Sequence, residues 1–252
     1  MSNYKEVLDE LEHNDPEYFE FFHRFEKLVQ SETKIDEKNR YLGILGALIG
    51  SKSIDYYPYI IEQILTKILT PQEIKEVLYE AAFILGASTV YPFLKVTNEI
   101  FKQHSIDLPL ENQNKVSQEE ALEKGIQKQK ESFGPGIEGF HTKGPMNKWV
   151  VTYMYGQLYT REVLSVKQRE IVITCIFIGY GDATPQFLQH VKALTNLGHG
   201  KWDLIQMILA IVPYIGYPRT FNALRAINEA VPDPLYMKVM KFAKGIYGSI
   251  FG

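Results

Sequence analysis

An internal repeat limits the folds open to this chain more than any other feature. Residues 36–50 (DEKNRYLGILGALIG) match residues 165–179 (SVKQREIVITCIFIG) at an offset of 129, with a lysine, an arginine and the terminal glycine in step. Residues 74–88 then match residues 204–218 at an offset of 130. A one-residue insertion is easily accommodated in a surface turn between the two matches. We therefore predict a tandem repeat of one structural unit.

Each unit carries the signals of α-helices. Thr70-Pro71 and Asp15-Pro16 place a capping residue before a proline at the first helical position, and Ser117 and Ser165 begin similar capping motifs. No stretch alternates between polar and apolar residues as a strand would, so the predicted fold class is all-α. The predicted helices are roughly 16–30, then 36–50 and 166–180, 55–68 and 184–197, 71–86 and 201–214, and 89–104 and 219–230.

A segment rich in glycine and proline, residues 132–145, divides the chain in half. Before it, the polar stretch 111–131 is typical of a solvated helix. We predict a degenerate N-terminal repeat over 1–110, a connecting helix and linker over 111–146, and a C-terminal repeat over 147–252.

Composition restricts the class of partner. The 252 residues are 45% hydrophobic, which is enough for a core, and the net charge of −3 creates no field that would gather nucleic acid or anionic lipid. No run of apolar residues has the length of a membrane span or a signal peptide. A single cysteine, Cys175, excludes an intrachain disulfide. We expect a cytoplasmic protein without nucleic-acid or membrane partners, and the strongly apolar helices favour a homo-oligomer.

The second repeat contains a candidate acid–base pair. Glu170 and His190 stand where the first repeat has Tyr41 and Ile61. Glu170 lies one turn into its predicted helix and His190 one to two turns into the next, and we expect antiparallel packing of the two helices to bring the side chains within reach of each other. A carboxylate beside an imidazole orients the ring and raises its pKa, as a general acid–base near neutral pH requires. The alternative is an ordinary, partly buried histidine and an acid placed at a helix start by the helix dipole.

Residues 149–231 resemble the carboxymuconolactone decarboxylase family, which includes relatives of alkylhydroperoxidase D. The resemblance depends on the stretches YGQLYTR (155–161), FLQH (187–190) and YIGYP (214–218), and on Arg169. The peroxidase branch carries Cys-x-x-Cys-x-x-x-His, but Ala183 and Gln186 occupy the cysteine positions before His190. Neither side chain supplies a thiolate, and Cys175 lies mid-helix among apolar residues. The pattern is that of the decarboxylase branch.

The resemblance implies a cofactor-free decarboxylation, or a proton transfer, on a small carboxylated, lactone-like substrate. His190 would be the proton donor or relay, Glu170 its partner, and Arg161 or Arg169 a clamp for the substrate carboxylate. Tyrosines would line the pocket, namely Tyr155, Tyr159, Tyr180, Tyr214 and Tyr217. The alternative for the arginines is a structural role, because arginines near helix ends commonly cap the helix or form ion pairs. The alternative for the tyrosines is that aromatic residues at helical spacing usually belong to the hydrophobic core.

No metal or cofactor is expected. His199 is nine residues from His190, which is not the spacing of two metal ligands on one helix, and we expect His199 to lie in an exposed turn.

The resemblance also implies an assembly. Three two-repeat chains would form the six-unit ring expected of single-repeat relatives, so a homotrimer is favoured. Two alternatives remain open: a non-catalytic binding or scaffold protein and, less favoured, peroxide reduction through Cys175.

Overall fold

A computed structural model describes residues 4–233, and those residues form an all-α fold without β-strands. The helices are α1 (Tyr4–Asn14), α2 (Pro16–Glu32), α3 (Glu37–Gly50), α4 (Tyr57–Ile64), α5 (Pro71–Leu85), α6 (Ala87–Gln103), α7 (Ala121–Phe133), α8 (Pro145–Trp149), α9 (Val166–Tyr180), α10 (Thr184–Asn196), α11 (Lys201–Ala210), α12 (Val212–Ile215) and α13 (Tyr217–Ala230), with a π-helical segment (Val150–Leu158) and two 3₁₀ helices (Pro135–Ile137 and Phe140–Thr142). The all-α prediction is confirmed.

Two of the predicted capping boxes begin helices as expected. Thr70 and Glu73 bond reciprocally at the start of α5, and Ser165 and Gln168 do the same at the start of α9.

Two predicted helices are shorter than expected. The helix predicted over 55–68 ends at Ile64, since Thr66 adopts a left-handed backbone with φ of 62°. The helix predicted over 201–214 breaks between α11 and α12, where Pro213 has no N–H to continue the hydrogen-bond ladder.

The prediction of a solvated helix over 111–131 is wrong in two respects. Residues 111–116 are not helical, and α7 begins only at Ala121. One face of α7 is packed closely against the π-helical segment, because a Cβ added at Gly125 would lie 2.0 Å from the carbonyl oxygen of Val151. The absence of side-chain bulk at Gly125 therefore permits this contact.

The predicted domain boundaries at 110 and 146 stay a prediction, and residues 234–252 of the predicted C-terminal repeat lie outside the described residues.

The centre of the fold is the contact between α3 and α9. A Cβ added at Gly50 would lie 2.2 Å from the carbonyl oxygen of Ile176, and one added at Gly179 would lie 2.2 Å from that of Ala47. Gly50 and Gly179 stand at equivalent positions of the aligned sequence repeat, and so do Ala47 and Ile176. The two close approaches are thus reciprocal, and each requires a glycine because the neighbouring atom belongs to the backbone.

The same helices each place one buried arginine at their first turn. Arg40 of α3 donates to the carbonyl oxygen of Thr33 at 3.0 Å. Arg169 of α9, which aligns with Arg40 in the sequence repeat, donates to Glu76 of α5 at 2.8 Å. Buried guanidinium groups need such acceptors, because desolvation of an unpaired charge is costly. This charged layer places α5 of the first half beside α9 of the second half.

The described residues include no helix of the length and apolarity that a membrane crossing requires.

Replacing Gly179 by alanine should destabilise the protein, although alanine is the better helix former by about 1 kcal/mol. The added methyl group meets a backbone oxygen that cannot move aside, so we expect a net loss of roughly 1–3 kcal/mol. Urea unfolding measures this loss. Gly136→Ala is the control, since nothing lies within 4 Å of its added Cβ. Equal stability of the two variants would contradict the close helix contact.

Candidate functional site

Glu170 and His190 meet in the structure, as their positions predicted. His190 Nδ1 of α10 lies 2.6 Å from Glu170 Oε2 of α9. Glu170 is fully buried, and His190 is 9% exposed. A carboxylate accepts hydrogen bonds only, so Nδ1 carries the proton in this contact and Nε2 is the nitrogen left for proton exchange.

The second oxygen of the Glu170 carboxylate is held by a tyrosine. The Tyr159 hydroxyl donates to Oε1 at 3.1 Å, and Tyr159 is itself buried. Burial, followed by the charges of Glu170 and Glu80, raises the pKa of Tyr159 well above its ordinary value, so the phenol stays a neutral donor. Glu170 is thus fixed between two donors, and its orientation determines that of the His190 ring.

A second buried carboxyl group, Glu80 of α5, belongs to the same cluster and was missed in the sequence. Neither of its oxygens has a partner at hydrogen-bond geometry among the described residues, although Tyr159 is near enough to lower its pKa in part. Burial is the main influence and raises the pKa of Glu80 well above 4.5, and the charge of Glu170 adds to this effect. A proton is therefore held more tightly at Glu80 than at an ordinary glutamate.

A pattern in the sequence pointed to Glu80. Glu73, Glu76 and Glu80 are spaced three and four residues apart on one helix and therefore share one face. All three are buried. Acids repeated on the buried face of a helix indicate cationic or protonated partners across the contact.

The two arginines predicted to clamp a substrate carboxylate bind an internal carboxylate instead. Arg161 Nε donates to Glu76 Oε1 at 2.7 Å, and Arg169 Nη2 donates to Glu76 Oε2 at 2.8 Å. Arg169 also lies over the ring of Tyr159, with 5.6 Å from the guanidinium carbon to the ring centroid. Its Nε and Nη1 atoms are buried and have no hydrogen-bond partner among the described residues.

The five predicted pocket tyrosines separate into two groups. Tyr155 and Tyr159 are buried in the cluster, with ring centroids 4.7 Å apart. Tyr180 lies ten residues beyond Glu170 on α9, about 15 Å along the helix axis, and is exposed. Tyr217 is exposed and stacks on Phe221, and Tyr214 packs near Tyr56 in the first half. The structure brings none of these last three to His190.

The His190 ring is largely covered by two aromatic side chains. It packs edge-on against Phe133 at 5.7 Å and at a tilt against Phe177 at 5.4 Å between centroids. Neither His190 nor Glu170 lines any of five cavities found in the described part of the chain. The His190 side chain is nevertheless 11% exposed, and Nε2, which has no hydrogen-bond partner among residues 4–233, is not a fully buried atom, so a small part of the ring reaches the surface.

The first half has an open cavity where the second half has the largely covered His190 site. This cavity of about 300 Å³ is lined by Arg40 and Tyr41, which align with Arg169 and Glu170 in the sequence repeat. It also holds Glu26, which accepts a hydrogen bond from Tyr56 and whose pKa burial raises. The first half thus lacks the acid–base pair but has polar groups at the equivalent place.

His199 and Cys175 differ in their burial. Gly198 and Gly200 of the turn are exposed as predicted, but the His199 side chain between them is only 17% exposed, and burial lowers its pKa. Cys175 is fully buried, and burial raises the pKa of its thiol. No cluster of three or more metal-ligating side chains occurs within the described residues.

No protein-family model matches the sequence, and no curated protein matches it at a significant level.

Replacing Glu80 by glutamine should stabilise the protein increasingly as the pH rises. The folded wild type binds more protons than the unfolded chain above pH 4.5, because the pKa of Glu80 is raised on folding. The stability of the wild type therefore falls, by up to about 1.4 kcal/mol per pH unit, as the pH rises toward the folded-state pKa. A glutamine side chain does not titrate, so the variant carries no such dependence.

Urea unfolding between pH 4 and pH 8 measures the difference between Glu80→Gln and wild type. Glu119→Gln, at an exposed position, is the control and should follow wild type at every pH. A constant difference across this range would contradict a raised pKa at Glu80.

Proposed function

We propose that this chain is a cofactor-free acid–base catalyst in which His190 exchanges a proton with a small carboxylated substrate. The observation that carries the proposal is the 2.6 Å contact between His190 Nδ1 and the buried carboxylate of Glu170. Tyr159 donates to the other oxygen of that carboxylate, so the position of Glu170 is fixed. The Glu170 contact at Nδ1 then orients the imidazole with Nε2 facing away from the carboxylate. The reaction class is decarboxylation or proton transfer.

In a decarboxylation, the bond between the substrate carbon and its carboxyl group breaks, and carbon dioxide leaves. The electron pair stays on the substrate as a carbanion or enolate, which then takes the proton from His190 Nε2. Glu170 stabilises the imidazolium before this transfer, and water returns the proton afterwards. Arg169 Nε and Nη1 have no hydrogen-bond partner among the described residues and could donate to an anionic group if it reached them, whereas Arg169 Nη2 and Arg161 Nε are occupied by Glu76.

The proposed ancestry of the site is a tandem pair of carboxymuconolactone decarboxylase-like units. The reciprocal glycine contacts of α3 and α9 support two copies related by an approximate two-fold axis, because such an axis makes each contact occur twice. Gly46 and Cys175 are also equivalent in the sequence repeat and meet each other, with 3.4 Å from an added Cβ at Gly46 to the Cys175 Cβ. Equivalent residues that touch are expected only near the axis itself.

A non-catalytic binding or scaffold role is the second candidate, and the limited exposure of His190 favours it. Phe133 and Phe177 cover most of the His190 ring, and a buried histidine–glutamate pair also stabilises a fold. Peroxide reduction is disfavoured, since it needs an accessible thiolate and Cys175 is buried at the α3–α9 contact.

Replacing His190 by alanine should lower the rate of decarboxylation by about 10² to 10⁴, the usual contribution of a general acid–base. The assay measures carbon dioxide release from a panel of small lactone acids, together with deuterium incorporated from heavy water into the product. His13→Ala, at an exposed position on α1, is the control and should retain the wild-type rate.

Two outcomes would overturn these assignments. Equal rates in wild type and His190→Ala would remove the role of His190. A wild-type protein that releases no carbon dioxide and exchanges no proton with any acid in the panel would favour the scaffold role.

We further propose a homotrimer, which predicts a solution mass of three chains of 29.0 kDa each. Tyr91 of α6 and Phe221 of α13 stand at equivalent positions of the sequence repeat and are 70% and 60% exposed. Large aromatic side chains exposed at equivalent positions of two repeats are typical of subunit interfaces, and such equivalent interfaces would recur around a ring of repeats. Light scattering should give the trimer mass, and Phe221→Glu should lower it. A wild-type mass of one chain would contradict the trimer.

A further inference from the structure

A cavity of about 770 Å³ lies apart from the His190 pair. It is bounded by α5, α6, the chain from Leu108 to Gln113, and Arg161. Its polar lining includes Lys75 and Gln72 of α5 and Asn98 and Lys102 of α6. The volume is within the range of small-molecule sites.

Lys75 is the unusual residue of this cavity. It is only 7% exposed, and its Nζ atom donates to Asn98 Oδ1 at 2.5 Å and lies 5.6 Å from the centroid of the Phe101 ring. No carboxylate lies within ion-pair distance of Lys75 among residues 4–233. Burial lowers the pKa of Lys75, and no neighbouring charge opposes the effect. A buried ammonium group without a counter-ion is costly, which is why such lysines usually have an anionic partner.

The other charges around the cavity do not supply that partner. Glu76 lines the cavity, but its two oxygens are bound by Arg161 and Arg169. Lys102 is exposed and forms no ion pair in the described part of the chain. Glu111, the remaining acid of the lining, is exposed on the facing segment. The basic groups at the cavity wall therefore outnumber the carboxylates that neutralise them.

We propose that this cavity binds a small organic anion, with a carboxylate or phosphate oxygen accepting from Lys75 Nζ. The amide groups of Gln72 and Asn98 would complete the contacts to the anion, and Lys102 would attract it at the cavity mouth. The cavity exceeds the size of a single inorganic ion, so the anionic group belongs to a larger molecule. This site does not depend on the catalytic role of His190, since the buried layer of Arg161, Glu76 and Arg169 lies between the two.

The test compares wild type with Lys75→Met by titration calorimetry and by thermal unfolding. The probes are inorganic phosphate, succinate and citrate, each against sodium chloride at equal ionic strength. Wild type should bind at least one of the three and unfold at a higher temperature in its presence. Lys75→Met keeps the apolar stem, so it should bind at least tenfold more weakly while the free variant is at least as stable as wild type, because the unpaired charge is gone.

Two further variants make the test specific. Lys95→Met removes an exposed lysine from the same helix as Lys102 but outside the cavity lining, and it should bind as wild type does. Lys102→Met should weaken anion binding by a smaller factor than Lys75→Met does. If Lys75→Met fails to fold, the loss of affinity in Lys102→Met still tests whether the anion binds in this cavity. The proposal is overturned if wild type binds none of the three probes, or if the variants at Lys75 and Lys102 bind as tightly as the Lys95 variant.

Discussion

The approach of the α3 and α9 backbones to van der Waals contact sets how the two halves of the described chain pack. Gly50 and Gly179 leave no room for a side chain, so the two helices are held in one register. This register places the first turn of α9 against α5, where Arg169 meets Glu76. The Glu170–His190 pair of the second half therefore lies beside a helix of the first half.

Burial of charge is the second constraint, and it follows from the first. Once Arg169 is enclosed between the halves, a carboxylate must be enclosed with it, and α5 presents three on one face. Glu76 pairs with two arginines, whereas Glu80 is left without a hydrogen-bond partner among the described residues. Burial, together with the charge of the neighbouring Glu170, consequently raises the pKa of Glu80 above that of an ordinary glutamate.

The sequence predicted local structure and the pairing of neighbouring helices, and it failed where distant segments meet. The all-α class and the contact between Glu170 and His190 were readable, because helix periodicity and a short connection between α9 and α10 determine them. Glu80 comes from the other half of the chain, and Phe133 closes the site from α7. Neither placement is encoded in local spacing, since both depend on how the two halves pack. The break before Pro213 is a different kind of failure, because a proline inside a helix is visible in the sequence, yet we predicted an unbroken helix over 201–214.

The His190 site and the open cavity of about 300 Å³ occupy equivalent places in the two halves but hold different groups. Glu170 and Glu80 at the His190 site align with Tyr41 and Ala210 at the open cavity, so the two buried acids have no counterpart there. A buried carboxylate needs hydrogen-bond donors around it, and the His190 ring is one of the donors to Glu170. The contact that orients the ring therefore also leaves little of it exposed. A substrate has to reach Nε2 while Glu170 stays buried, and the two phenylalanine side chains in contact with the ring are the groups whose movement would widen the approach.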